Sequence, residues 1–112
     1  MKYLFDNWKM YLDLEESAEL AEKFSTLKLP EEVNSAVFPN PISFCKVEEN
    51  LEGSEFDLGA QNVAWTPKGA YTGATSAYIY SQGGADYALV GHSELRHIFG
   101  ETNKATRKKV EA

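Results

Sequence analysis

The amino-acid order predicts an α/β domain of parallel strands joined by crossover helices. Three observations carry this. Short β-rich runs alternate with amphipathic helical segments, turn residues stand at every join, and polar side chains able to do chemistry follow two of the runs. Such alternation gives a parallel sheet with right-handed crossovers. At 112 residues and 43 % hydrophobic content the chain has the size and composition of one small globular domain, residues 1–112.

Residues 2–8 read as the first strand, rich in Tyr, Leu and Phe. Asp13 then starts a helix as its N-cap, and Glu16 completes a capping box. Leu20, Phe24 and Leu27 recur at helical spacing, with Glu15, Glu16, Glu19 and Glu22 on the polar side. Pro30 bars continuation. The second strand is Val33–Phe38, ended by Pro39. Asn40-Pro41 supplies an N-cap and a first-turn proline for the second helix, whose buried stripe is Phe44, Val47 and Leu51. Gly53 suits its C-terminal cap. The third strand is Phe56–Gln61, followed by a long loop to about Thr75. A short helix near 76–82 is closed by Gly83-Gly84, and Asp86–Gly91 forms the fourth strand. Glu94–Phe99 makes one helical turn, and another helix begins at Thr102. From Thr106 to Ala112 the composition stays helical without a stop signal, so the sequence reads as interrupted within a helix.

Composition narrows the function classes. A net charge of −6 argues against non-specific binding to nucleic acid or anionic membranes, although a few local cations can still hold a small anion. No run approaches the roughly 20 apolar residues of a membrane span, and the N-terminus turns polar too soon for a signal peptide. Cys45 is alone, which excludes an intrachain disulfide and favours a reducing, cytoplasmic setting; it is expected as a small packed residue of the second helix. No His/Cys cluster has metal-ligand spacing, and the Gly69–Gly73 segment lacks the GK[ST] ending of a phosphate loop.

Two segments carry chemistry. Strand alternation turns Asn7 and Lys9 to one side and Asp6 and Trp8 to the other. Lys9 at a strand end is then a fixed cation suited to a phosphate or developing oxyanion, with Asn7 an amide donor beside it. His92 follows the fourth strand, and Ser93-Glu94 suits a helix start. The partial positive charge there favours a neutral ring able to donate to a carbonyl oxygen. His97 is expected on the exposed side of the following turn.

Asn7-Trp8-Lys9-Met10, Gly59-Ala60-Gln61-Asn62, Gly69-Ala70-Tyr71-Thr72-Gly73, Gly91-His92-Ser93-Glu94 and Phe99-Gly100-Glu101 stand in the order and spacing of one family. Through them the chain resembles triosephosphate isomerases. The resemblance implies parallel βα units of a TIM (β/α)8 barrel, and interconversion of dihydroxyacetone phosphate and glyceraldehyde 3-phosphate through an enediolate without a cofactor. It also implies a homodimer. Lys9 would hold the substrate, Asn7 would contact it and His92 would polarise its carbonyl. Ser93 would help place the catalytic glutamate, Glu94 would pair with Lys9, and Thr72 would reach into the neighbouring subunit.

The family's glutamate base, closing lid and phosphate cradle lie in its second half, so the catalytic base is absent from this chain. A barrel takes about 250 residues, so only about half of one is expected, with open sheet edges. Losing a general base costs about 10²–10⁴-fold in rate, so the isolated chain is expected to be inactive until a complementary C-terminal half is supplied. A self-associating half barrel with a weak phosphate site, or an inert truncation, are the other readings. Ala74 and Leu95 stand where the family usually has Glu and Arg, which in the family meet across the dimer interface. Their joint replacement reads as the removal of one ion pair.

Overall fold

Four parallel strands lie side by side in chain order, β1 (Lys2–Asn7), β2 (Val33–Phe38), β3 (Phe56–Ala60) and β4 (Tyr87–Ala88). The computed structural model describes all 112 residues. Helices α1 (Leu14–Phe24), α2 (Phe44–Leu51) and α3 (Ala77–Gln82) connect the strands, and α4 (Ser93–His97) and α5 (Asn103–Glu111) follow β4. The sheet curls into half of a βα barrel. Register runs from Lys2 opposite Val33 to Asn7 opposite Phe38, then Ser35 opposite Phe56 and Gly59 opposite Tyr87.

The outer face of the sheet holds the core. Val37, Leu58 and Ala60 point outward by alternation and pack with Trp8, Ala21, Phe44, Val47, Leu51, Val63 and Tyr80. Each large apolar side chain buried there contributes about 1.5–3 kcal/mol. Helix α1 starts as expected: the Asp13 carboxylate accepts the Glu16 amide at 2.8 Å, and Glu16 accepts the Asp13 amide at 3.3 Å.

Several expectations need correction. Helix α1 ends at Phe24, because the Ser25 and Thr26 hydroxyls donate to the Glu22 and Lys23 carbonyls and close the turn; Leu27 is therefore exposed. Asn40 caps a preceding turn, accepting the Ser43 amide, and the helix proper starts after Ser43. Cys45 is exposed, since Phe44, Val47 and Leu51 take the inward stripe. Strand β4 keeps only two residues of the expected six, because β3 is its sole neighbour and turns away after Ala60.

The inner face is aromatic; Phe38 is fully buried there, and the face is open at β1. Phe5 packs its ring on Phe38 and Tyr87, with centroids 5.6 and 5.1 Å away, and Tyr3 lies beside it. Phe38 fills the space a side chain would need at Gly59, where an added Cβ would lie 2.1 Å from its ring. Tyr3 and Leu4 are each 59 % exposed and Phe5 48 %, so both faces of edge strand β1 meet solvent. No helix is long and apolar enough to cross a membrane.

Candidate functional site

The carboxyl ends of β1 and β4 bring Asn7, Lys9, His92 and Glu94 together, as the sequence predicts. Trp8 anchors the first of these ends. Its indole is buried against Phe24 and donates to Asp6 Oδ2 at 3.0 Å, on the side opposite Asn7 and Lys9. The chain then turns sharply at Lys9, whose φ of +54° makes it the only non-glycine residue in the left-handed region. That conformation costs roughly 1–2 kcal/mol for an L residue.

Four hydrogen bonds hold the turn. Asn7 Oδ1 accepts the Lys9 amide at 2.9 Å, and Trp8 N–H donates to the Phe38 carbonyl at 3.1 Å. Gln61 Nε2 donates to the Lys9 carbonyl at 2.8 Å, and also to the Phe38 carbonyl at 2.9 Å. At about 0.5–1.5 kcal/mol each, such bonds are large enough to offset the strain.

From this turn Lys9 Nζ reaches Glu94 Oε1 at 2.8 Å, with the two side chains 42 % and 40 % exposed. The hydrogen bond and charge of Glu94 raise the Lys9 pKa, and the hydrogen bond from Lys9 lowers that of Glu94. Lys9 is thus held as a cation beside the opening.

His92 is the N-cap of α4, and its Nδ1 accepts the Glu94 amide at 3.1 Å. An amide can only donate, so Nδ1 is unprotonated and the neutral ring carries its hydrogen on Nε2. Asn7 Nδ2 lies 3.5 Å from that Nε2, while Asn7 Oδ1 is already occupied by the Lys9 amide. Two donors therefore face each other without a bond. An acceptor oxygen placed between them satisfies both, and the Lys9 ammonium adds positive charge beside it.

Ser93 and Thr72 enter none of the hydrogen bonds that join this cluster; Ser93 opens α4, and Thr72 is exposed in the loop before α3. His97 is exposed as expected. Ala74 is exposed and Leu95 half-buried, and neither side chain can form an ion pair. A cleft of about 510 Å³ lined by Val63, Ala77, Tyr80, Tyr87 and Ala88 contains no residue of the cluster.

Sequence reasoning missed two supports. Gln61 was visible only as part of a motif. The second is an almost fully buried ion pair, Glu101 with Lys109, whose side chains are 5 % and 8 % exposed. Lys109 also donates to Asn62 Oδ1 at 2.8 Å, and the Thr106 hydroxyl donates to Glu101 at 2.7 Å. Burial pushes the Glu101 pKa up, but bonds from Lys109, Thr106 and the Gly91 amide outweigh it and hold the carboxyl below its usual range. This network ties the residue before His92 to the residue after Gln61.

Polar groups gathered at the carboxyl ends of parallel strands, on a curled sheet with helices outside, define a βα-barrel protein with its site at the strand ends. The Triosephosphate isomerase family model matches residues 2–112, and the chain belongs to that family. It is 36 % identical over 104 residues to a triosephosphate isomerase of Thermoanaerobacter pseudethanolicus, covering 93 % of this chain and 42 % of that protein. A Clostridium tetani relative of the same name is 37 % identical over 106 residues, covering 95 % of this chain and 42 % of its own length. One from Gloeothece citriformis is 39 % identical over 106 residues, covering 93 % and 44 %. The chain thus spans less than half the length of these relatives.

Proposed function

We propose that this chain supplies the electrophilic, substrate-holding side of a triosephosphate isomerase site, for the interconversion of dihydroxyacetone phosphate and glyceraldehyde 3-phosphate. The observation that carries the reading is the unbonded donor pair of His92 Nε2 and Asn7 Nδ2 at 3.5 Å, beside the Lys9 cation. In this reading Lys9 holds the anionic substrate, Asn7 contacts it, and His92 Nε2–H polarises the carbonyl as the enediolate oxygen gains charge. Glu94 keeps the ammonium over the opening and orients His92 through its amide.

The proton-abstracting glutamate is proposed to come from residues outside these 112, together with the groups that enclose the substrate. Ser93 positions that glutamate, and Thr72 reaches into a second subunit of a homodimer. The activity named for the relatives supports this reading, and the unpaired Cys45 fits a cytoplasmic enzyme. No cofactor takes part.

The test is an isomerase assay of the chain alone and with the C-terminal portion of a relative added. Activity is expected only with the added portion, and Lys9→Ala or His92→Gln is expected to abolish it. Full activity in either variant would overturn the assignment, as would a failure of the added portion to give turnover.

A further inference from the structure

Gln61 has no part in the reading above, yet it grips the single strained backbone turn of a non-glycine residue. We infer that Gln61 is a positioning residue for Lys9, its amide fixing the left-handed turn from which the ammonium reaches over the strand ends. The inference rests on the substrate-holding role proposed for Lys9.

Gln61 follows β3 directly, and its side chain passes over the end of β2 to reach the turn after β1. Its Nε2 group carries two hydrogens and faces two carbonyls, those of Lys9 at 2.8 Å and Phe38 at 2.9 Å. The Phe38 carbonyl also takes the Trp8 amide, so one oxygen and one side-chain amide lock the ends of three strands together. The Lys9 amide is held from the other side by Asn7 Oδ1. Remove Gln61 and the Lys9 carbonyl loses its partner, leaving the φ of +54° free to relax to negative values. That relaxation swings the Lys9 side chain away from Glu94 and His92.

The chemistry selects glutamine. A carboxylate of the same shape has no hydrogen to give and would face two carbonyl oxygens; asparagine is one methylene too short to span them. Leucine keeps the volume and loses both bonds.

The test compares Gln61→Leu and Gln61→Glu with the unchanged protein, using isotope-labelled chain assembled with the added C-terminal portion. Before any ligand is present, the Lys9 ¹³Cα and ¹³Cβ shifts report its backbone conformation. Gln61→Leu is expected to move them away from left-handed values and to raise KM for the triose phosphate about tenfold. Gln61→Glu is expected to restore both readings as pH falls through the titration of the introduced carboxyl, a transition absent from the unchanged protein. Lys9, Glu94 and His92 on the turns above, and Lys109 in the adjoining cleft, set where that transition falls.

Unchanged Lys9 shifts in Gln61→Leu would overturn the inference, and so would a Gln61→Glu protein with the pH dependence of the parent. If the leucine variant does not assemble, the two protonation states of the glutamate variant decide within one protein. Lys9→Ala separates this from the broader reading. Should it leave KM unchanged, the substrate-holding role fails, while the ligand-free shifts still decide what Gln61 does.

Discussion

Lys9 Nζ and Glu94 Oε1, 2.8 Å apart, join the turn after the first strand to the helix after the fourth. The contact spans the open mouth of the half barrel, and its two pKa shifts fix how it responds to pH. Glu94, lowered in the fold, contributes stability above the ordinary carboxylate range that is lost as pH falls through its lowered value. Lys9, raised, contributes below the ordinary lysine range, near about pH 10, and loses it as pH rises through its raised value. Glu94→Gln is expected to abolish both edges of this plateau in Tm measured against pH. Added salt should shrink the difference, since both groups are partly solvated.

Gly59 sets the packing of the inner face. With Phe38 filling its Cβ position, Gly59→Ala forces the ring or the strand to move and is expected to cost about 1–3 kcal/mol. Phe38→Leu in the same protein should recover part of the loss. Thermal denaturation of the two single variants and the double variant checks both statements.

Glu101 and Lys109 form a buried pair, so removing one partner strands a charge. Lys109→Met is expected to destabilise by about 3–5 kcal/mol, and the double change with Glu101→Gln by clearly less. A double-mutant cycle in denaturant measures the difference. Equal losses in the single and double variants would refute the coupling.

The exposed apolar side chains of β1 and the unpaired edges of β1 and β4 predict self-association of the isolated chain. Several exposed aromatic and aliphatic side chains forgo about 25 cal/mol per Å² that a covering partner would restore, a large share of a total stability near 5–15 kcal/mol. Light scattering is expected to find oligomers or aggregates. A monodisperse monomer with cooperative melting would contradict this.

Local rules made much of the fold readable. The Asp13–Glu16 box, the Phe44, Val47 and Leu51 stripe and the Gly53 turn depend on neighbours within a few residues, and the structure contains all three. Alternation likewise separated Asp6 and Trp8 from Asn7, whereas Lys9 lies past the end of β1 and takes its direction from the left-handed turn. What escaped was decided at a distance. The Gln61 amide meets a carbonyl 52 positions earlier, and no local pattern announces a left-handed lysine. The short β4 and the late start of α2 were decided by strand partners and a competing turn.

The strand order, identical to the order of synthesis, also dictates a sequence in time. With strands in chain order, each βα unit can add to the edge left by the one before it, with no insertion between strands already paired. Close pairings form early, and the long closures come last. The turn at Lys9 is made first, with Asn7 Oδ1 its nearest support; Gln61 follows Lys9 by 52 positions, and His92 follows Asn7 by 85. The lysine is thus synthesised well before Gln61 and Glu94, the side chains that meet its carbonyl and its ammonium.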